Sequence, residues 1–147
     1  MLIDWQDKWL TGEERIDTDH HDMVLTINNI HEAVEQGESK ADILTILKAL
    51  VKLTYEHFSY EECLMMITDY PRSDAHMDEH QNLHSIANIL VYNIEVSNKE
   101  VVLDTIDFFE DWFIDHVENM DAELGRFLKD RQIADGHSSH DSPSSFA

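Results

Sequence analysis

Residues 50–66 read LVKLTYEHFSYEECLMM, an apolar stretch with a histidine and a glutamate in its middle. His57 and Glu61 are four residues apart, so on an α-helix they lie on the same face, one turn from each other. Leu50 precedes His57 by seven residues, which places both polar side chains on the stripe that should face a core. Polar groups on such a stripe need partners, and the rest of the sequence indicates what those partners are.

Four segments of the chain carry apolar residues at helical spacing, and turn residues separate them. The predicted helices span about 18–35, 40–67, 74–95 and a stretch that starts near residue 99. Asp17 or Thr18, Ser39 and Ser73 are the expected N-caps of the first three helices. Gly37 is expected to end the first helix, because glycine is common just after a helix C-terminus.

Four amphipathic helices with short connections favour an all-α fold, an up-down-up-down four-helix bundle. Residues 1–17 are predicted to form an extended N-terminal arm packed on the bundle, and residues 18–130 the bundle itself. Residues 131–147 include the stretch ADGHSSHDSPSSFA, which is Ser-rich and poor in apolar groups. We therefore expect a disordered tail there.

The polar side chains on the four apolar stripes fall at one end of such a bundle. In an up-down bundle, the starts of the first and third helices lie beside the ends of the second and fourth. We expect these side chains to meet in one layer: His20, His57, Glu61, His76, His80 and His116. Leaving them unpaired would cost roughly 1–3 kcal/mol each. A single histidine on an apolar face is more often a hydrogen-bonded core residue, but convergence from four helices favours a bound metal.

The composition of the 147-residue chain limits its partners. Asp and Glu number 31 against 10 Lys and Arg, a formal charge of −21. This argues against nucleic acid and anionic membranes, because binding to phosphates depends on Lys and Arg. The negative charge also favours a monomer through self-repulsion. With one cysteine, Cys63, no signal peptide and no apolar run of about 20 residues, we expect a cytoplasmic protein without membrane insertion.

Four motifs resemble those of the hemerythrin family in its single-domain bacterial form. They stand here as IDTDH (16–20), HFSYEECLM (57–65), HMDEH (76–80) and HVENMD (116–121). Tyr70-Pro71 in a turn and Trp112 ahead of the last motif also match, and the resemblance covers about residues 5–130. Asp19 stands where the family usually has glutamine. This departure bears on hydrogen bonding around the ligands rather than on the ligand set.

The resemblance implies two non-haem iron ions joined by a bridging oxo or hydroxo group. The implied ligands are His76, His80 and His116 on one iron, His20 and His57 on the other, and Glu61 and Asp121 as bridges. Five imidazoles and two carboxylates suit iron, with zinc or manganese as substitutes. On a regular helix His116 and Asp121 would lie about 140° apart, at ~100° per residue. If both are ligands, we expect a bulge, a tightened turn or a break between them.

The resemblance also implies reversible dioxygen binding, for storage, transport or sensing, with no catalytic residue. One iron would keep an open position behind an apolar wall, for which the candidates are Met23, Phe58, Trp112 and Phe113. One alternative is a di-iron redox enzyme with peroxidase, nitric-oxide or iron-repair activity, in which Tyr60 would be the proton donor. Others are a protein that serves an unidentified signalling partner or oxygen-using enzyme, and a metal-free bundle.

Overall fold

The computed structural model describes residues 2–140, with side chains up to residue 132. Its main elements are α1 (Glu14–Glu35), α2 (Lys40–Ile67), α3 (Ser73–Val96), α4 (Leu103–His116), a π-helix (Val117–Asp121) and α5 (Ala122–His140). Within this part of the chain there is no β-strand. None of the described helices is long and apolar enough to cross a membrane. The all-α prediction is confirmed.

The helices form an up-down-up-down bundle, as predicted. Helix α1 packs against α2 and α4, and α2 packs against α3. The π-helix and α5 continue the line of α4, because the residues at both junctions, Val117 and Ala122, have α-helical dihedral angles. The three segments therefore make one long fourth rod.

Apolar side chains form two separate clusters inside the bundle. The larger contains, among others, Met23, Val24, Ile27, Leu47, Leu50, Ile106 and Phe113, and the smaller contains Ile16, Met65, Tyr70, Leu124 and Leu128. Along α1, Ile16 of the smaller cluster, the buried His20 and Val24 of the larger cluster follow at steps of four residues. A buried polar layer thus lies between two bodies of hydrocarbon.

The N-terminal arm packs on the bundle through its large side chains. Ile3 and Asn28 exchange two hydrogen bonds: Ile3 N donates to Asn28 Oδ1 at 2.8 Å, and Asn28 Nδ2 donates to Ile3 O at 2.9 Å. A short 3-10 turn at Asp7–Trp9 carries a tryptophan that is only 3% exposed. The arm is therefore fixed to the bundle at two separate points.

Helix α1 begins at Glu14, so the start predicted near residue 18 is wrong. The cap is Glu13, whose carboxylate accepts a hydrogen bond from Ile16 N at 2.8 Å. Gly12, with φ of +87°, turns the chain into the helix just before this cap. Asp17 lies inside the first turns of α1. Its carboxylate accepts hydrogen bonds from Thr11 and Gly12 of the arm and does not cap the helix.

Two other predicted helix signals are confirmed and one is wrong. Ser39 caps α2, since its Oγ accepts from Asp42 N at 3.1 Å. Gly37, with φ of +68°, follows the end of α1. Ser73 is the first residue of α3 rather than its cap, and Arg72 in the cap position makes no capping bond through its side chain.

The fourth rod differs from prediction at both ends. Helix α4 starts at Leu103 rather than near residue 99, because Lys99 N donates to Ser97 Oγ at 2.9 Å and keeps these residues in a turn. At the other end α5 runs to His140, so the tail predicted from residue 131 begins inside a helix. Residues 141–147 of that tail lie outside the described residues.

Replacing Ser39 with Ala should lower the free energy of unfolding by about 1 kcal/mol, because Asp42 N loses its acceptor. Urea unfolding of the metal-free chain measures this loss. Ser39→Asp, which restores an acceptor oxygen, should recover the stability. A Ser39→Ala chain as stable as the unmodified one would contradict the capping role.

Candidate metal centre

The seven side chains predicted as ligands lie together at one depth of the bundle. They come from α1, α2, α3 and the fourth rod. Helix α1 carries His20, α2 carries His57 and Glu61, α3 carries His76 and His80, and the fourth rod carries His116 and Asp121. None of the seven is more than 2% exposed. The structure thus brings together every candidate that the stripes and the family resemblance supplied.

Their ligand atoms fall into two overlapping groups, and the atoms of each group lie within 4.8 Å of one another. One group is Glu61, His76, His80, His116 and Asp121, and the other is His20, His57, Glu61 and Asp121. Only the two carboxylates belong to both groups. Two sets of imidazoles that share two carboxylates form a pattern suited to a pair of metal ions.

The two oxygens of Glu61 face different histidines. Oε1 lies 2.8 Å from His57 Nε2, while Oε2 lies 3.2 Å from His80 Nε2 and 3.3 Å from His76 Nε2. Since His57 belongs to one group and the other two to the second, each carboxylate oxygen serves a different group.

Asp121 divides its oxygens in the same way. Oδ2 lies 2.9 Å from His20 Nε2, and Oδ1 lies 3.1 Å from the Nε2 atoms of both His76 and His116. The fully buried Glu61 and Asp121 therefore link the same two sets of imidazoles from opposite helices.

Many polar side-chain atoms in this layer lie close together without forming hydrogen bonds. Among the described residues, both ring nitrogens of His20 and His76, both oxygens of Asp121 and Oε2 of Glu61 are buried without a hydrogen bond. His20 Nε2 and Asp121 Oδ2 are only 2.9 Å apart, so misalignment rather than distance prevents the bond. Nitrogen and oxygen atoms that crowd together without forming hydrogen bonds are placed as the ligands of a shared cation would be. Mixed imidazole and carboxylate donors suit iron, zinc or manganese, whereas calcium takes oxygen ligands.

Three histidines are held from behind by further carboxylates. His57 Nδ1 lies 3.0 Å from Asp19 Oδ2, His116 Nδ1 2.9 Å from Glu79 Oε1, and His80 Nδ1 3.3 Å from Glu62 Oε1. An Nδ1–H that donates outward fixes the ring and leaves Nε2 facing the layer. Asp19 thus performs this task from the position where the family usually has glutamine. Sequence reasoning missed Glu79, whose only signal is its place beside His80.

The π-helix explains how His116 and Asp121 reach the same layer. Ala122 N–H donates to Val117 O, the five-residue spacing that defines a π-helix. This wider turn removes the 140° offset of a regular helix and brings residues five apart onto one side. The predicted distortion between His116 and Asp121 is confirmed.

Three of the four predicted wall residues contact ligand rings. Phe58 stacks on His80 with 3.8 Å between ring centroids, Trp112 lies nearly parallel to His116 at 6.1 Å, and Phe113 meets His20 edge-on at 5.7 Å. Met23 is 1% exposed and belongs to the larger apolar cluster. Their role as the wall of a dioxygen pocket stays a prediction.

Protons on imidazoles balance the two carboxylates when no metal is bound. Burial lowers the pKa of His57, but the carboxylates of Glu61, Asp19 and Asp121 together outweigh burial and raise that pKa to about 10. Burial also lowers the pKa of His116, but Asp121, Glu79 and Glu61 together outweigh burial and raise that pKa to about 10. Burial opposes ionisation of Glu61 and Asp121, yet the neighbouring imidazoles hold the pKa of both well below its ordinary range.

The metal-free chain should therefore lose stability as the pH rises from about 6.5 to about 10. Raised histidine pKa values stabilise the folded state fully below the unfolded value near 6.5, and this contribution disappears as the folded protein deprotonates. We expect a loss of at least ~1 kcal/mol, measured by urea unfolding. The metal-loaded chain should lose less over this range, because a cation replaces the protons. A metal-free chain that becomes more stable towards pH 10 would contradict this reading.

Known proteins resemble this chain over most of its length. The sequence model of the Hemerythrin HHE cation binding domain matches residues 11–128. Bacteriohemerythrin from Pseudomonas aeruginosa is 34% identical over 119 residues, which cover 80% of this chain and 76% of that protein. Bacteriohemerythrin from Methylococcus capsulatus is 29% identical over 112 residues, which cover 76% of this chain and 85% of that protein.

The fold comparison agrees with the sequence comparison. A crystal structure of wild-type hemerythrin matches with a TM-score of 0.80 and 27% identity, covering 86% of this chain and 97% of that one. The domain match includes all seven buried side chains of the polar layer. This chain therefore belongs to the hemerythrin family.

Proposed function

We propose that this chain binds dioxygen reversibly at a pair of non-haem iron ions. One observation carries the proposal: two overlapping donor groups share Glu61 and Asp121 inside a layer enclosed by hydrocarbon. If this layer held two ferrous ions, they would supply the two electrons needed for reversible binding of dioxygen. Membership of the hemerythrin family supports iron as the metal and dioxygen as the ligand.

The ligand roles follow from membership of the two groups. His76, His80 and His116 would hold one iron, His20 and His57 the other, and Glu61 and Asp121 would be shared by both. The groups are unequal, with five donors in the first and four in the second. Because the smaller group supplies one donor fewer, a metal ion held there would keep a position for an outside ligand such as dioxygen.

The remaining side chains orient the ligands and exclude water. Carboxylates behind His57, His80 and His116 fix the rotation of these rings. Phe58 and Phe113 cover ligand rings with hydrocarbon, which limits the access of water and outside oxidants to the centre.

A redox enzyme on this scaffold would need a proton donor near the smaller group. The Tyr60 hydroxyl, the candidate for this role, donates to Glu13 Oε1 at 2.6 Å instead. Burial, together with the Glu13 carboxylate, raises the pKa of Tyr60 to about 12. Tyr60 is thus engaged at the cap of α1, which supports a binding protein over an enzyme.

Anaerobic reconstitution with Fe²⁺ tests the proposal. We expect two iron ions per chain and an absorption band that appears with dioxygen and disappears when dioxygen is removed. His57→Ala should lose about half of the iron and the band, because it removes one of two histidines from the smaller group. His84→Ala, at a histidine outside both groups, is the matched control and should behave like the unmodified chain. Irreversible bleaching or sustained consumption of dioxygen would favour an enzyme instead.

Phe113→Ala should speed conversion of the loaded protein to an oxidised form that no longer binds dioxygen. The loss of a ring that is 1% exposed and contacts His20 opens a path for water. We also expect a loss of about 3–5 kcal/mol in stability. Phe109→Ala removes an equally buried ring one turn further from the layer, so it should destabilise similarly and leave the oxidation rate unchanged. Equal oxidation rates in both variants would contradict the sheltering role.

A further inference from the structure

Asp121 reaches the polar layer because the π-helix Val117–Asp121 widens one turn of the fourth rod. Such turns are rare in proteins and occur mostly as single turns inside regular α-helices. Asp121 belongs to both donor groups, so movement of this turn would disturb both at once. Contacts from outside the rod are therefore important for holding the turn open.

Trp9 of the arm contacts the π-helix on one side of Asp121. Its indole Nε1–H donates to Glu118 Oε1 at 3.0 Å, and Lys8 Nζ lies 2.8 Å from the same oxygen. The Trp9 ring also packs edge-on against Phe113, with 5.7 Å between centroids. Glu118 precedes Asp121 by three residues, so this hydrogen bond restrains the same turn.

Thr11 of the arm contacts the rod on the other side of Asp121. A Cβ placed on Gly125 would lie 2.9 Å from Thr11 Cβ and 3.0 Å from Thr11 Cα and O, closer than real contacts allow. Thr11 cannot easily yield, because its N–H and its hydroxyl both donate to Asp17 Oδ1 at 2.8 Å. Gly12 N–H donates to the other oxygen of that carboxylate at 3.1 Å. The arm is thus pinned to α1 where it presses on the rod.

We propose that Trp9 and Thr11 form a clasp that positions Asp121, with Glu118 and Gly125 as its contact points on the fourth rod. The inference rests on the proposed function in one respect, that Asp121 is a metal ligand. The clasp residues are not members of either donor group, so they are positioning residues that act through the turn. Without the clasp, the turn relaxes towards a regular helix and Asp121 rotates away from the layer.

Co²⁺ added to the metal-free chain serves as the probe, because its visible spectrum depends on the number and geometry of its ligands. Trp9→Phe keeps an aromatic ring and removes the N–H donor, while Glu118→Ala removes the acceptor at a partly exposed position where folding is not at risk. We expect both variants to change the cobalt spectrum in the same way and to release cobalt to a chelator about tenfold faster. Glu118→Gln keeps an acceptor oxygen and should match the unmodified chain.

Gly125→Ala tests the second contact point, and we expect it to alter the spectrum in the same direction by displacing Thr11. Ile3→Ala is the matched control, since it removes a buried arm side chain and leaves both backbone hydrogen bonds between Ile3 and Asn28 in place. It should lower thermal stability and leave the cobalt spectrum unchanged.

The outcomes separate the clasp from the function on which it rests. Unchanged spectra and release rates in Trp9→Phe and Glu118→Ala would overturn the clasp while leaving the metal centre intact. An altered spectrum in Ile3→Ala would overturn it too, by showing a general effect of arm packing. If the unmodified chain binds fewer than two Co²⁺ ions, the proposed function fails and the clasp fails with it.

Discussion

Two fully buried carboxylates, Glu61 and Asp121, are the constraint on which the rest of this structure depends. An ionised carboxylate taken out of water costs several kcal/mol unless opposite charge accompanies it. The chain has a formal charge of −21, with only 10 Lys and Arg, and the side chains that lie against these two carboxylates are histidines. Imidazoles supply the compensation, either as protonated rings or as co-ligands of metal ions.

The bundle topology places this polar layer where it can be both enclosed and supported. Each rod contributes its ligands near the same end, and apolar clusters lie above and below them. Acidic residues further out, such as Asp19 and Glu79, hold the rings from behind. The layer therefore combines a polar interior with a dry surrounding, which is the combination that reversible binding of an oxidising gas requires.

The sequence predicted what depends on local periodicity and missed what depends on contacts between distant segments. His57 and Glu61 were identified because their stripe is otherwise apolar. Asp121 could not be found from spacing, since a regular helix points it away, and only the family resemblance supplied it. Aspartate is a common helix cap, but the carboxylate of Asp17 accepts hydrogen bonds from Thr11 of the arm instead. Glu79 contacts His116 across two helices, which no single-helix pattern encodes.

The π-helix determines how the metal centre would respond to insertions and deletions during evolution. A bulge of this kind accommodates one additional residue while leaving the helical segments before and after it in phase. Leu124 and Leu128 beyond it are buried, so their packing depends on this phase of the helix that follows the turn. Deleting one residue from this turn would shift the Asp121 side chain by about 1.5 Å along the rod. The apolar side chains beyond the turn would keep their packing, because the helix that carries them stays in phase. Insertions and deletions at this single turn could thus retune the chemistry of the centre while the scaffold is conserved.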